Sequence, residues 1–371
     1  MLGTRPEIIK MSATIDRLDL NLNHIIVDTG QNSDFELNEI FFSDLGIRKP
    51  DYFLNCPDGN SIEKISFILK KSYSLFNKLK PDAVLIYGDT NSGFAALSAK
   101  KLKIPVFHME AGNRCFDMRV PEELNRKIFD HVSDVNIVLS EQARNNLIAE
   151  GFNRNLIFKS GSHMNEVLNC HKSKILKSNV LNKLNLKKKK YILVSLHREE
   201  NVDNYERLDK FLKSFFTLIN YFNVDIIFSA HPRTIDRFKK FGIDISNMKK
   251  NRIFLFKPFS FSDYMNLQIN SLVVISDSGT ITEESAIMNF NAISIRDSHE
   301  RPEGIDAGIL TTPTLQDENI IEAINFKLNC KKRDLINLRV KDYDEKTVSI
   351  KIVNIIISYI DKINKSIWFK N

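Results

Sequence analysis

Short runs of β-branched and aliphatic residues alternate with longer amphipathic stretches along this chain, and the series starts twice. A short apolar run predicts a buried strand, and a stretch with apolar residues three and four apart predicts a helix. A repeated strand–helix order is typical of parallel sheets covered by helices. We predict strands at 24–30, 82–89, 104–110, 134–140, 191–197, 224–232, 252–258, 271–277 and 292–297.

A polar, lysine-rich stretch at 171–190 separates the two series, and we interpret it as a connector or a solvated helical face. The length of 371 residues favours two domains. We therefore predict an α/β chain with two successive open parallel sheets. Ligands of such sheets bind outside the carboxyl ends of the strands, so with two domains we expect the site in the cleft between them.

The composition restricts the classes of function. Apolar residues make up 43% of the chain and charged residues 27%, which predicts a folded core and argues against a disordered protein. The net charge of +7 suits a nucleic acid, an anionic membrane or a phosphorylated small molecule. The basic residues at 187–190 have no interleaved aromatic residues, and no nucleic-acid-binding motif occurs, so we expect no nucleic-acid partner.

Cysteine spacing and hydropathy predict the compartment. The four cysteines form no CxxC pair, which favours free thiols in a reducing cytoplasm and argues against a metal site. The first residues contain no apolar signal region. The longest apolar tract, 350–360, is too short to span a bilayer and contains Lys351. We expect a cytoplasmic protein without membrane insertion.

Polar residues collect where the predicted strands end. Asp89 and Glu110 end strands of the first series, Glu122 opens a helix, and His197 ends a strand of the second series. Taken singly, such residues are common as helix caps, as partners of a helix dipole or as structural histidines. Their recurrence at the ligand-binding ends of strands, together with several arginines, favours a functional site.

Two segments suit a phosphate group. Segment 3–7 opens a helix that carries Arg5 and Lys10, and segment 278–280 consists of small residues between a strand and a helix. Small residues let a phosphate approach the N–H groups of a helix N-terminus. One helical turn later, Glu284 is placed to accept hydrogen bonds from a ribose. No GxxxxGK[ST] and no GxGxxG occur in these places, which argues against a P-loop ATPase and a nicotinamide cofactor.

A series of motifs runs along most of the chain: GTRPEIIK (3–10), DTGQN (28–32), YGDTNS (87–92), HMEAGNR (108–114), RVPEELNR (119–126), SDSGTITEE (276–284) and ERPEG (300–304). Their order and spacing resemble those of the non-hydrolysing UDP-N-acetylglucosamine 2-epimerases. This resemblance implies the GT-B fold, with two Rossmann-like domains, the active site in the interdomain cleft and a C-terminal helix that crosses back. It implies domains at 1–168, completed by a helix at 346–371, and at 169–345, with UDP bound by the second.

The reaction implied by the resemblance is inversion at C2 of a UDP-2-acetamido sugar. UDP is eliminated to give a 2-acetamidoglycal and is then added back after protonation of the other face. Such a reaction needs a base and an acid on opposite faces of the sugar and cationic groups around the departing diphosphate, but no cofactor. The motifs assign Asp89, Glu110 and Glu122 as the acid and base carboxylates, and His197 as a diphosphate contact or a proton carrier.

The same resemblance implies a set of ligand contacts. Arg5 and Lys10 would bind phosphate or sugar, Ser278, Gly279 and Thr280 the diphosphate, Glu284 the ribose, and Arg301 the ligand or the closed cleft. Segment 257–264 aligns with the loop that contacts uracil. Phe259 stands where many members have Gln, and Tyr264 where they have Phe.

Two segments suggest a branch of the family. AGNRCFD (111–117) and TITEE (280–284) resemble the UDP-N-acetyl-L-fucosamine synthases, which epimerise UDP-2-acetamido-2,6-dideoxy-L-talose for capsule or O-antigen synthesis. The close alternative is a UDP-N-acetylglucosamine 2-epimerase that gives UDP-N-acetylmannosamine. A hydrolysing epimerase and a GT-B glycosyltransferase are further alternatives, although the carboxylates of the first domain argue against a transferase. The family also implies a homodimer.

The start of the chain differs from the family pattern. Two residues precede Gly3, where the resemblance implies a full strand in the middle of the first sheet. A sheet without that strand would hold unpaired backbone groups. We expect that an upstream extension of roughly six to eight apolar residues raises the stability.

Overall fold

The structure is a computed structural model that describes residues 1–31, 35–330 and 338–370. The chain divides into two compact units. Unit 1 comprises Met1–Cys170 and the chain from Lys341 onward, and unit 2 comprises His171–Val340. Both units contain parallel sheets with helices between successive strands, which confirms the predicted α/β fold class.

Unit 1 contains two parallel sheets. Strands β1 (Val27–Asp28) and β2 (Tyr52–Phe53) form one, and β3 (Val84–Tyr87), β4 (Val106–Ala111), β5 (Val135–Val138) and β6 (Ile157–Lys159) form the other in that order. The helices are α1 (Arg5–Asn21), α2 (Phe35–Leu45), α3 (Ser61–Leu79), α4 (Ala95–Lys101), α5 (Pro121–Val132), α6 (Glu141–Ala149) and α7 (His163–Leu176).

Unit 2 contains one five-stranded parallel sheet. Its strands are β7 (Tyr191–Ser195), β8 (Asp225–Ser229), β9 (Ile253–Phe256), β10 (Val274–Ser276) and β11 (Ala292–Ser294), in the order β11-β10-β7-β8-β9. The order reverses between β7 and β10, and such a switch point is where open sheets bind ligands. The helices are α8 (Val180–Lys183), α9 (Glu199–Val202), α10 (Tyr205–Phe222), α11 (Pro232–Lys240), α12 (Ile245–Lys250), α13 (Phe261–Asn270), α14 (Ile281–Met288), α15 (Glu303–Asp306) and α16 (Asp317–Asn329).

Strands β5, β7 and β10 are buried on both faces, which explains why their sequences are continuous apolar runs. In β7, Ile192, Leu193 and Val194 are all buried, although successive side chains point to opposite faces of the sheet. Helix α10 covers one face with Phe211 and Phe215. Because such helices cover the faces of the sheet, a ligand can reach only the ends of the strands.

The C-terminal helix α17 (Val348–Ser366) belongs to unit 1 and packs against α1. Its first turn is held by Glu166 of α7, which accepts hydrogen bonds from the Ser349 N–H at 2.7 Å and the Ser349 hydroxyl at 2.6 Å. A carboxylate at this end also complements the helix dipole. The chain therefore returns to its first unit after completing the second.

Residues 1 and 2 lie between the two sheets of unit 1. The Leu2 N–H donates to Val27 O at 2.9 Å, and the Met1 amino group donates to Leu85 O at 3.0 Å on the other side. Beside them is a cavity of about 320 Å³. We call this space the β1–β3 lane; its lining includes Ile15, Leu18, Ile26, Phe76, Val84, Phe107 and Ile356.

Some elements were not predicted from the sequence. Strands β2 and β6 have two and three residues, too few for a recognisable pattern. Within the ranges described, no helix is apolar and long enough to cross a membrane. Asn32, the last residue of the predicted DTGQN motif, lies outside the described residues.

Candidate active site

The acidic residues predicted in unit 1 lie just after β3, near the end of β4 and in the first turn of α5. Asp89 comes two residues after β3, beyond Gly88, which has φ +64°. Glu110 lies within β4, at an irregularity in the pairing with β5, and has φ +65°. A positive φ is strained for a residue with a Cβ, and such strain collects at functional sites. The bulge turns this side chain out of the regular strand alternation.

Glu110 is held by two donors on one carboxylate oxygen. Lys10 Nζ lies 2.6 Å from its Oε2, and the Tyr87 hydroxyl donates to the same atom at 2.5 Å. The Lys10 side chain is 3% exposed and that of Glu110 9% exposed. Burial of a carboxylate is tolerated when it is paired in this way. Lys10, predicted as a phosphate or sugar contact, is therefore the partner of a predicted catalytic carboxylate.

Asp89 is tied to α5 by two side chains. Arg126 donates from Nε to Asp89 Oδ2 at 2.9 Å, and Asn125 Nδ2 donates to the Asp89 carbonyl at 2.9 Å. Glu122 lies three and four residues before these two, so all three share one face of the helix. The Glu122 carboxylate is therefore carried on the helix face that contacts Asp89.

The adjacent Glu123 has a structural role. Its buried carboxylate accepts hydrogen bonds from the N–H groups of Cys115 and Phe116 at 3.0 and 3.1 Å, and from Arg126 at 2.8 Å. Burial alone would raise the pKa of Glu123, but these donors hold it below its usual value. The sequence contains two successive glutamates here, and the structure assigns the anchoring of the 115–116 loop to the second.

Glu7 is a further site residue that was not predicted from the sequence. Its carboxylate accepts from the N–H groups of Gly3 and Thr4 at 2.7 and 2.8 Å and from the Thr90 hydroxyl at 2.6 Å. Burial raises the pKa of Glu7 to about 7, against the effect of these donors. The Thr-x-x-Glu spacing at 4–7 is a capping-box signal that could have identified it. Glu7 joins the start of α1 to the residue that follows Asp89.

The other predicted contact of unit 1 is Arg5. It is the first residue of α1, and its guanidinium lies 5.4 Å from the ring centroid of Phe41. Arg5 and Lys10 are thus on one helix, but their observed partners differ. Unit 1 brings Lys10 to Glu110, and it brings the helix face that carries Glu122 to Asp89.

In unit 2, the predicted His197 lies at the switch point between β7 and β10. Its Nδ1 is 2.9 Å from Oδ1 of Asp277, which directly follows β10. Asp277 is fully buried, and the N–H groups of His197 and Arg198 and the amide of Asn201 donate to it. Burial would raise the pKa of Asp277, but the His197 ring and these hydrogen bonds hold it well below its usual range. Asp277 was also missed from the sequence.

The segment between β10 and α14 is closely packed. The Ser278 and Thr280 hydroxyls are 3.0 Å apart, and Thr280 directly precedes the helix. A Cβ on Gly279 would lie 2.4 Å from Glu300 Oε1 and 2.6 Å from Arg301 Nη1. A side chain here would therefore displace the ends of the Glu300 and Arg301 side chains, both of which are buried. The geometry brings the predicted Arg301 to the helix start that carries Gly279.

Glu284 is in the first turn of α14, where Gln268 Nε2 donates to its Oε2 at 2.8 Å. Gln268, which the sequence analysis missed, is itself buried and so fixes the orientation of this carboxylate. Tyr264 lies in α13 and is half-buried. Phe259 precedes that helix, and its ring lies 5.5 Å from that of Phe256.

Comparison with known proteins identifies the family. The family model described as UDP-N-acetylglucosamine 2-epimerase matches residues 16–357. The chain belongs to this family. The match confirms the predicted family and the expectation of an isomerase that acts as a UDP-sugar 2-epimerase.

Solved structures of the UDP-N-acetylglucosamine 2-epimerase family have the same fold. The structure of UDP-N-acetylglucosamine 2-epimerase from Rickettsia bellii is 48% identical, with a TM-score of 0.91 over 100% of this chain and 98% of that one. The Methanocaldococcus jannaschii UDP-GlcNAc 2-epimerase, in complex with UDP-GlcNAc and UDP, is 36% identical, with a TM-score of 0.89 over 96% and 98%. These neighbours confirm the predicted GT-B fold.

The family also contains an enzyme for a different sugar. The UDP-2,3-diacetamido-2,3-dideoxy-D-glucuronate 2-epimerase of Pseudomonas aeruginosa is 32% identical over 88% of this chain and 91% of its own length. Membership of the family therefore indicates the reaction, which is inversion at C2 of a UDP-sugar, but it does not identify the sugar.

Proposed function

We propose that this chain inverts C2 of a UDP-2-acetamido sugar by elimination and re-addition of UDP. A base removes the C2 proton, the C1–C2 double bond forms, and the C1–O bond breaks with its electron pair on the phosphate oxygen of UDP. In the reverse sense, an acid delivers a proton to the opposite face of C2 and the UDP oxygen bonds to C1. Atoms and charge balance without an added reactant.

The acid–base work is assigned to Asp89, Glu110 and Glu122. The observation that supports this most is that they lie just after β3, near the end of β4 and at the start of α5, with Asp89 bound by the helix face that carries Glu122. Proton transfer by a positioned side chain contributes roughly 10²- to 10⁴-fold to a rate. Two carboxylates on different elements suit a reaction that removes a proton from one face and adds it to the other.

UDP binding is assigned to unit 2. The start of α14 offers N–H groups with small side chains in 278–280, and a helix N-terminus stabilises an anion. Glu284 would accept from the ribose hydroxyls, while His197 and Arg301 would supply positive charge or protons to the diphosphate. Segment 257–264, with Phe259 and Tyr264, would contact the uracil.

Arg5 and Lys10 keep their proposed place on the substrate side of unit 1. Lys10 is bound to Glu110, so its positive charge lies next to a proposed catalytic carboxylate, where it would contact the diphosphate or the sugar. Such a cation stabilises negative charge that develops as UDP departs.

Two sugars are candidates. UDP-N-acetylglucosamine is favoured by the family description and by the M. jannaschii enzyme, whose structure contains it. UDP-2-acetamido-2,6-dideoxy-L-talose is favoured by the sequence of 111–117, whose Cys115 and Phe116 are anchored by Glu123. We propose the second as the natural substrate, with UDP-N-acetyl-L-fucosamine as a precursor for capsule, O-antigen or lipopolysaccharide synthesis.

The test is proton NMR of the purified chain with each sugar nucleotide in turn. The proposal predicts inversion at C2 in at least one, with larger kcat/KM for the L-talo sugar. Preference for UDP-N-acetylglucosamine would reject the L-fucosamine branch. Release of free sugar and UDP would indicate a hydrolysing epimerase, and turnover only with an acceptor would indicate a glycosyltransferase. Sedimentation at micromolar concentration tests the proposed homodimer, and a monomer would contradict it.

A further inference from the structure

A buried carboxylate lies next to the only imidazole that the proposed mechanism uses. His197 and Asp277 follow β7 and β10, which are paired neighbours in the sheet. The loop after β7 wraps around the Asp277 carboxylate, which accepts hydrogen bonds at 3.0 Å from the N–H groups of both His197 and Arg198. Asn201 Nδ2 adds a third donor at 2.9 Å.

The ring of His197 completes this set of contacts. Its Nδ1 lies 2.9 Å from Asp277 Oδ1, while the side chain is 36% exposed. An ionised carboxylate has no proton to donate, so a ring nitrogen at this distance from it is favourable only when that nitrogen carries the proton. In the neutral ring the proton then sits on Nδ1, and Nε2 is left as an acceptor.

We propose that Asp277 is a positioning residue that fixes the tautomer and ring orientation of His197 and so presents Nε2 to the UDP moiety. The proposal rests on the function proposed for His197 and extends it to a residue whose side chain is fully buried. A neutral His197 accepts a proton at Nε2. A protonated His197 donates from Nε2 to a phosphate oxygen, while the Asp277 carboxylate stabilises the imidazolium.

A purely structural role is the competing account, because Asp277 also anchors the loop. The two accounts differ in what happens to the ring. If Asp277 only anchors backbone N–H groups, the His197 ring populates both tautomers already in the wild type, and replacement of Asp277 destabilises the loop without changing them. If Asp277 positions the imidazole, the wild-type ring populates a single tautomer and loses that preference without the carboxylate.

The first experiment is ¹⁵N NMR of the histidine-labelled chain without ligand, with the His197 signals assigned from H197Q. We expect the Nδ1–H tautomer of neutral His197 in the wild type and a mixed or reversed tautomer in D277N. The matched control is N201A, which removes a different donor from the same carboxylate and leaves the Nδ1 contact, so its tautomer should be unchanged. A wild-type ring with its proton on Nε2 would overturn the proposal.

The second experiment is a double-mutant cycle on kcat for the better UDP-sugar. We expect D277N to lower kcat on the order of 10²-fold when His197 is present but less than about threefold when it is added to H197Q, because Asp277 acts through the imidazole. Equal losses in both backgrounds would show that Asp277 acts independently of His197. If the wild type has no epimerase activity, the proposed function fails, while the tautomer measurement still decides the positioning role.

Discussion

The β1–β3 lane makes the stability of unit 1 depend on what precedes Met1. The Met1 amino group is half-buried, and burial lowers its pKa from 8.0 to about 6. Below pH 6 the folded state must hold an ammonium group beside an apolar cavity, with Leu85 O as an acceptor. An extension ahead of Met1 replaces this group by a neutral amide, and apolar residues in the extension fill the lane.

The sign of the pH effect follows from the lowered pKa. Between pH 6 and 8 the unfolded chain binds more protons at this amine than the folded chain does, so stability rises with pH through this window. Two pKa units at about 1.4 kcal/mol each give ~3 kcal/mol. At pH 6 the folded amine is half protonated, so about 2 kcal/mol of this is lost, which at roughly 2–4 °C per kcal/mol for a unit of this size is about 4–8 °C in Tm.

The assay is thermal unfolding at pH 6 and pH 9 of three forms of the chain. The first has the free amine, the second is acetylated at Met1, and the third carries six to eight apolar residues ahead of Met1. Acetylation should remove most of this pH-dependent difference. The extension should also raise Tm at pH 9, because only it buries further apolar surface in the lane. Equal Tm values for the three forms would refute the role assigned to the lane.

The remaining predictions concern the site. E122Q should lower kcat by roughly 10²- to 10⁴-fold with Tm unchanged, whereas E123Q should lower Tm, since Glu123 anchors the 115–116 loop; reversed effects would contradict these assignments. K10M should lower kcat and destabilise unit 1 by about 3–5 kcal/mol, because it leaves the Glu110 carboxylate buried without its cation; urea unfolding that matches the wild type would contradict this. G279A should weaken UDP binding in calorimetry, since the added Cβ would lie 2.4 Å from a carboxylate oxygen, and unchanged affinity would argue against a diphosphate contact there.

The sequence predicted the α/β class because buried parallel strands are continuous apolar runs. The runs at 191–197 and 224–232 were visible for this reason, and they contain β7 and β8. Strands β2 and β6 were missed because two or three residues carry no periodicity. The local sequence pattern is enough to predict long strands, but it does not predict short strands that are defined only by their hydrogen bonds to a neighbouring strand.

The candidate site was predicted in part, for a related reason. Motifs located Asp89, Glu110 and His197, but the groups that hold them come from distant parts of the chain. Tyr87 reaches Glu110 across 23 residues of sequence, and the amide of Asn201 reaches Asp277 across 76. Such contacts depend on strand order, which no local spacing reveals.

The central claim is that the chain removes and replaces the C2 proton of a UDP-sugar. The most direct measurement is incubation of the purified chain with each candidate UDP-sugar alone in D₂O, followed by NMR of the C2 position. We expect deuterium at C2 in the recovered substrate and in its epimer, without acceptor and without release of free sugar. Epimer with no deuterium at C2, or neither exchange nor epimer with both sugars, would contradict the proposed mechanism.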